Sequence, residues 1–83
     1  MATVETEARH EWTSDNSLWH IVARRLNSNG IIQFVALVRR LNKQGKYRTV
    51  ARKDIPSRIR IQENEMISQL KEVQMNDTDH ASK

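Results

Sequence analysis

The 83 residues contain no cysteine, one proline, two glycines and only four Phe, Trp or Tyr side chains. Without thiols there is neither a disulfide framework nor a thiolate zinc site, the two usual staples of a mini-domain. With glycine only at Gly30 and Gly45, the chain cannot write a phosphate-cradling loop or a dinucleotide fingerprint, which argues against nucleotide hydrolysis. No apolar run approaches the roughly 18 residues of a membrane span. The acidic, polar stretch from Met1 to Trp12 is not the basic-then-apolar layout of a secretory signal. These absences lead to the expectation of an intracellular, non-secreted protein, cytoplasmic and nucleoid-associated or nuclear, with no membrane partner.

A chain this short builds one domain with a modest core, in which a deep enclosed active site is hard to form. Its candidate acid–base groups do not converge. His10 and His80 fall near the ends, and His20 has no histidine or carboxylate at helical metal-pair spacing. Glu63 and Glu65 read as solvated carboxylates in the first turn of a helix, favoured there by its dipole. The expectation is a non-enzyme with no cofactor, no metal and no small-molecule substrate.

Charge is what the chain has in excess, and it is segregated. From Arg24 to Arg60 there are eleven basic residues against one acid, Asp54, a net +10, while the segments before and after carry −3 each. Such a run repels itself and is more naturally stabilised by a polyanion than by water alone. Eight of the eleven are arginine, whose planar fork suits phosphate oxygens and guanine edges. Stacking rings are scarce, Tyr47 being the one in the basic stretch expected to be exposed, so duplex DNA is favoured over a single strand and over RNA.

Periodicity supplies the expected architecture: mainly α, a small domain of three to four helices resembling a helix-turn-helix. Residues 1–13 read as a flexible acidic tail, 14–74 as the single basic helical domain, and 75–83 as a flexible polar tail. The oxygen-rich cluster Thr13 to Ser17 can cap a first helix whose stripe is Leu18, Val22 and Leu26, closed by Gly30. A second helix over 31–43 gathers Ile31, Phe34, Val35, Leu37, Val38 and Leu41 on one broad side and Arg39, Arg40 and Lys43 on the other. Its end repeats that of the first, since Arg-Arg-Leu-Asn-x-x-Gly occurs twice.

Two readings stand for 47–62: a short third helix followed by one opening near Pro56, or a β-hairpin of the winged-helix kind, since Arg58 to Ile61 alternates strictly. A last helix carries Met66, Ile67, Leu70 and Val73 on one stripe.

Within this frame Lys46, Tyr47, Arg48, Thr49, Arg52 and Lys53 would face a DNA groove, with Arg39, Arg40 and Lys43, or Arg58 and Arg60, holding phosphates. The function expected is a small DNA-binding regulator acting by occupancy, and a homodimer would match the two-fold symmetry of many DNA sites. The competing expectation is an adaptor or inhibitor docked on a larger protein that handles nucleic acid, with Ile32, Met66, Ile67, Leu70 and Val73 as contacts.

Overall fold

The computed structural model describes residues 4–81, with side chains from Val4 to Glu72. The expected helical domain is not what forms. Four antiparallel strands, β1 (Val4–Thr13), β2 (Trp19–Ser28), β3 (Ile31–Leu41) and β4 (Tyr47–Thr49), lie in the order β1-β2-β3-β4. A 3₁₀ turn over Arg52–Asp54 leads into a single helix, α1 (Ser57–Ala81). Of the residues read as an N-terminal tail, Val4–Thr13 form an edge strand. The two segments read as helices are the central strands. No hairpin forms over 47–62, because β4 pairs with β3 and Arg58 to Gln62 belong to α1. Among the described residues there is thus no helix-turn-helix and no winged helix.

The turn chemistry explains why the sheet wins. Asn29 and Gly30 both have positive φ, 55° and 85°, as a two-residue hairpin turn with the right-handed strand twist demands. Ser28 pairs with Ile31 across this turn, and Asn27 Oδ1 accepts the Gly30 N–H at 2.9 Å. Asn42 organises the next turn, its Oδ1 accepting the N–H groups of Gln44 and Lys46 at 2.9 and 3.0 Å. Gly45 takes φ 80° there. Between β1 and β2, the Ser14 hydroxyl accepts the Trp19 N–H at 3.0 Å and Asn16 Oδ1 accepts that of Leu18 at 3.1 Å. The oxygen-rich cluster therefore closes a strand turn instead of capping a helix.

α1 lies on one face of the sheet. Its first-turn N–H groups at Ile59 and Arg60 donate to the Pro56 carbonyl, both at 3.0 Å. Ile59, Glu63, Met66 and Leu70 recur at steps of four, three and four, the stripe of a helix with one buried side. They meet Trp19, Ile21, Ala23 and Val38 of the sheet, with Ile55 of the linker closing the core. The last helix thus lies where its apolar spacing placed it. Met66 and Leu70 are core residues of this domain and are not available to a partner; Ile67 packs half-buried against the same core. Val73 lies outside the described side chains. No described helix is long and apolar enough to cross a membrane.

Candidate nucleic-acid interface

Because side chains alternate across a strand, the register assigns every sheet residue to the helix-covered face or to the opposite, bare one. β2 sends Trp19, Ile21, Ala23 and Arg25 to the helix, and His20, Val22, Arg24 and Leu26 the other way. β3 follows, with Phe34, Ala36, Val38 and Arg40 on the covered face and Val35, Leu37, Arg39 and Leu41 on the bare one. Tyr47 and Thr49 of β4 join the bare face opposite Leu41 and Arg39. From β1 come Arg9, Glu11 and Thr13. No described element packs on this side, and its floor is apolar at Val22, Leu37 and Val35 with cations at Arg24 and Arg39.

The hydrogen bonds of this face are local. His20 Nε2 donates to Glu11 Oε1 at 2.8 Å, and Arg9 reaches the other oxygen of Glu11 at 2.9 Å. The His20 bond, helped by the charge of Arg9, holds the Glu11 carboxyl below the usual carboxylate range. The Tyr47 ring is tilted against His20 with centroids 5.3 Å apart, and its hydroxyl donates to the Ser17 carbonyl at 2.6 Å.

Around the β3–β4 turn the basic residues concentrate. Arg39, Arg40, Lys43, Lys46 and Arg48 fall within ten residues of chain. Arg40 and Arg48 stand directly opposite each other in the ladder, an arrangement that like charges make unfavourable. The Arg40 guanidinium lies 5.7 Å from the Trp19 ring centroid, which supports its stem without neutralising it. A shallow depression lined by Arg40, Asn42, Lys43, Arg48 and Thr49 opens beside this pair.

The acidic flanks cover little of the positive segment. Glu7 takes Arg25 at 3.1 Å. Glu63, only 4% exposed, takes Arg52 through two parallel bonds of 2.6 and 2.9 Å. That carboxylate holds Arg52 more firmly protonated than usual. Glu63 is therefore a buried ion-pair partner, not the solvated first-turn residue its position suggested. Among the described residues the other nine cations from Arg24 to Arg60 have no carboxylate within ion-pair distance.

The sequence-predicted site residues thus divide. Arg39, Arg40, Lys43, Lys46, Tyr47 and Arg48 come together on one hairpin. Arg52 is occupied by Glu63, and Arg60 donates to the Arg52 carbonyl at 2.5 Å. Lys53 is exposed on the 3₁₀ turn, and Arg58 sits by the β1–β2 turn beside Asp15 and Asn16. Ile32 is half-buried on the covered face. Sequence reasoning missed Arg24, His20 and Glu11 as members of one face; the Asn29-Gly30 pair was the signal that could have placed Arg24 and His20, because it fixes the β2–β3 register, whereas Glu11 depends on the separate β1–β2 register.

Among the described residues no three His, Asp or Glu side chains gather as metal ligands would. Comparison with known proteins finds no family model, no curated protein and no solved structure that matches the chain.

Proposed function

We propose that this chain is a non-enzymatic nucleic-acid-binding regulator that holds phosphates with the β3–β4 hairpin and lays a strand across the bare face of its sheet. The observation that carries this reading is the set of five hairpin cations with no carboxylate within reach among the described residues, Arg39 standing on the bare face and Arg40 opposed to Arg48 on the other side of the same hairpin. A bound polyanion relieves that repulsion and releases its own counterions. Single-stranded nucleic acid suits the face better than a duplex. The helix that was to enter a major groove does not form, whereas an uncovered antiparallel sheet can hold a flexible strand by its phosphates on Arg24 and Arg39, with Tyr47 as the single ring offered to a base. The adaptor reading loses Met66 and Leu70, which its own core consumes.

Fluorescence anisotropy with a labelled single-stranded oligonucleotide and its duplex, over a salt series, tests this. Binding should fall steeply with salt, and Arg39→Glu with Arg24→Glu should weaken it while lowering the log–log salt slope by about one per removed phosphate contact. Salt-insensitive binding, or none at micromolar protein, overturns the reading. A duplex preferred over the single strand overturns its bare-face part, and competition by RNA decides between the two single strands.

A further inference from the structure

The sheet has two long outer edges, and only one of them is defended. β1, with Glu5, Glu7, Arg9 and Glu11 along it and a bulge between Thr6 and Ala8, carries the charges and irregularity that keep an edge from pairing with another chain. β3 is different. β4 covers only Arg39 to Leu41, extended by the Val50 N–H donating to the Val38 carbonyl at 2.9 Å. From Ile31 to Leu37 the outer edge has no strand partner among the described residues, and Ile31 to Val38 contains no charge and no proline.

The Val38 bond also sets the phase of this edge. Even-numbered residues of β3 direct their N–H and C=O away from β2, so the backbone groups of Ile32, Phe34 and Ala36 point outward. On the bare face above them, Ile31 is 64% and Val35 40% exposed.

We infer that this edge is the pairing site for a second copy of the chain, antiparallel, about a two-fold axis at Gln33. In that register Ile32 of each copy exchanges N–H···O bonds with Phe34 of the other, using outward groups on both sides. Ile31 then stands opposite Val35 of the second copy, and Val35 opposite its Ile31, so both exposed apolar residues are covered in one step. Charge selects the occupant. The edge from Ile31 to Leu37 is neutral, and a second copy supplies an equally neutral strand without setting any cation opposite another; Arg39, the nearest charge along β3, lies beyond the paired stretch. The product is one continuous sheet through both subunits. The inference rests on the backbone edge and does not depend on the nucleic-acid reading.

The absence of cysteine makes the test clean. In a non-hydrogen-bonded antiparallel pair the Cα atoms facing each other across the axis are about 4.5 Å apart, within the roughly 4.4–6.8 Å that a disulfide spans. Full-length, nuclease-treated Gln33→Cys should become a disulfide-linked dimer under mild oxidation, while Val35→Cys, away from its own symmetry mate, should not. Sedimentation should show the unmodified chain as a dimer at tens of micromolar, and Ile31→Lys, at a residue whose side chain carries no core, should weaken association by about tenfold. A monomeric unmodified chain, equal crosslinking of the two cysteine variants, or undiminished association of Ile31→Lys overturns the inference and leaves the nucleic-acid reading untouched.

Discussion

Ile21 and Val22 are neighbours in β2, and both are buried, yet they are buried by different things. Ile21, fully inaccessible, points at α1 and belongs to the core with Met66 and Val38. Val22 points the other way, where no element covers it, and is enclosed by Glu11 and Leu37 on the adjoining strands. The same strands thus build one face by packing a helix and the other by covering backbone with neighbouring side chains. Stability resides mainly on the first, and the second is left open to a ligand.

The largest break in that comparison should come from cutting the core. Met66→Ala removes a wholly buried side chain and should cost about 2–5 kcal/mol. Leu37→Ala on the bare face should cost about 1 kcal/mol or less, since only part of its surface is removed from water. Urea unfolding at constant m-value measures both, and equal losses would mean that the bare face carries structural weight like the covered one.

Next in size is the ion pair inside the covered face. Arg52→Ala should cost about 1.5–3 kcal/mol, because it strands a buried carboxylate without its charged donors. Glu63→Gln should cost less. Its partner Arg52 is 68% exposed and returns to water, while the amide keeps the shape of the site. A reversed order would show that the guanidinium, not the carboxylate, is the group held against its solvation.

The smallest effect belongs to the bare face and appears only with pH. Glu11 titrates below its ordinary range in the folded chain, so its contribution is present above the unfolded carboxylate pKa, about 4.3. It is lost as pH falls through the lower folded value. Glu11→Gln should therefore reduce stability at neutral pH and converge on the unmodified chain in acid. Stability curves against pH, repeated at high salt where the exposed pair is screened, check the direction.

These contrasts also explain which parts of the fold could be read from the sequence. Leu18, Val22 and Leu26 step by four, which is close to one helical turn and is also two strand repeats, so a single stripe satisfies both periods. β3 has no alternation to betray it, since Phe34, Ala36 and Val38 serve the core while Val35, Leu37 and Leu41 line the bare face. Gly30 misled for a related reason: a glycine closing a helix and a glycine in a tight hairpin both need positive φ. The preceding Asn29, also at positive φ, was the distinguishing residue.

α1 was legible from Met66, Ile67 and Leu70, but its buried Glu63 was not, because the partner that makes it tolerable, Arg52, comes from the linker eleven residues earlier. Of the candidate interface, the hairpin cations were visible as a charge run, whereas their neighbours from β1 and β2 depend on the register.

The strand order follows the chain without a crossover, and this shapes how the domain is reached as well as how it stands. Each strand finds its partner across a short turn, so loop closure costs little and the hairpins can zip on the microsecond scale. The sequence-distant step is the docking of α1 against β1, β2 and β3. Destabilising the turn at Asn29-Gly30 should therefore slow refolding, while trimming the helix stripe should chiefly hasten unfolding.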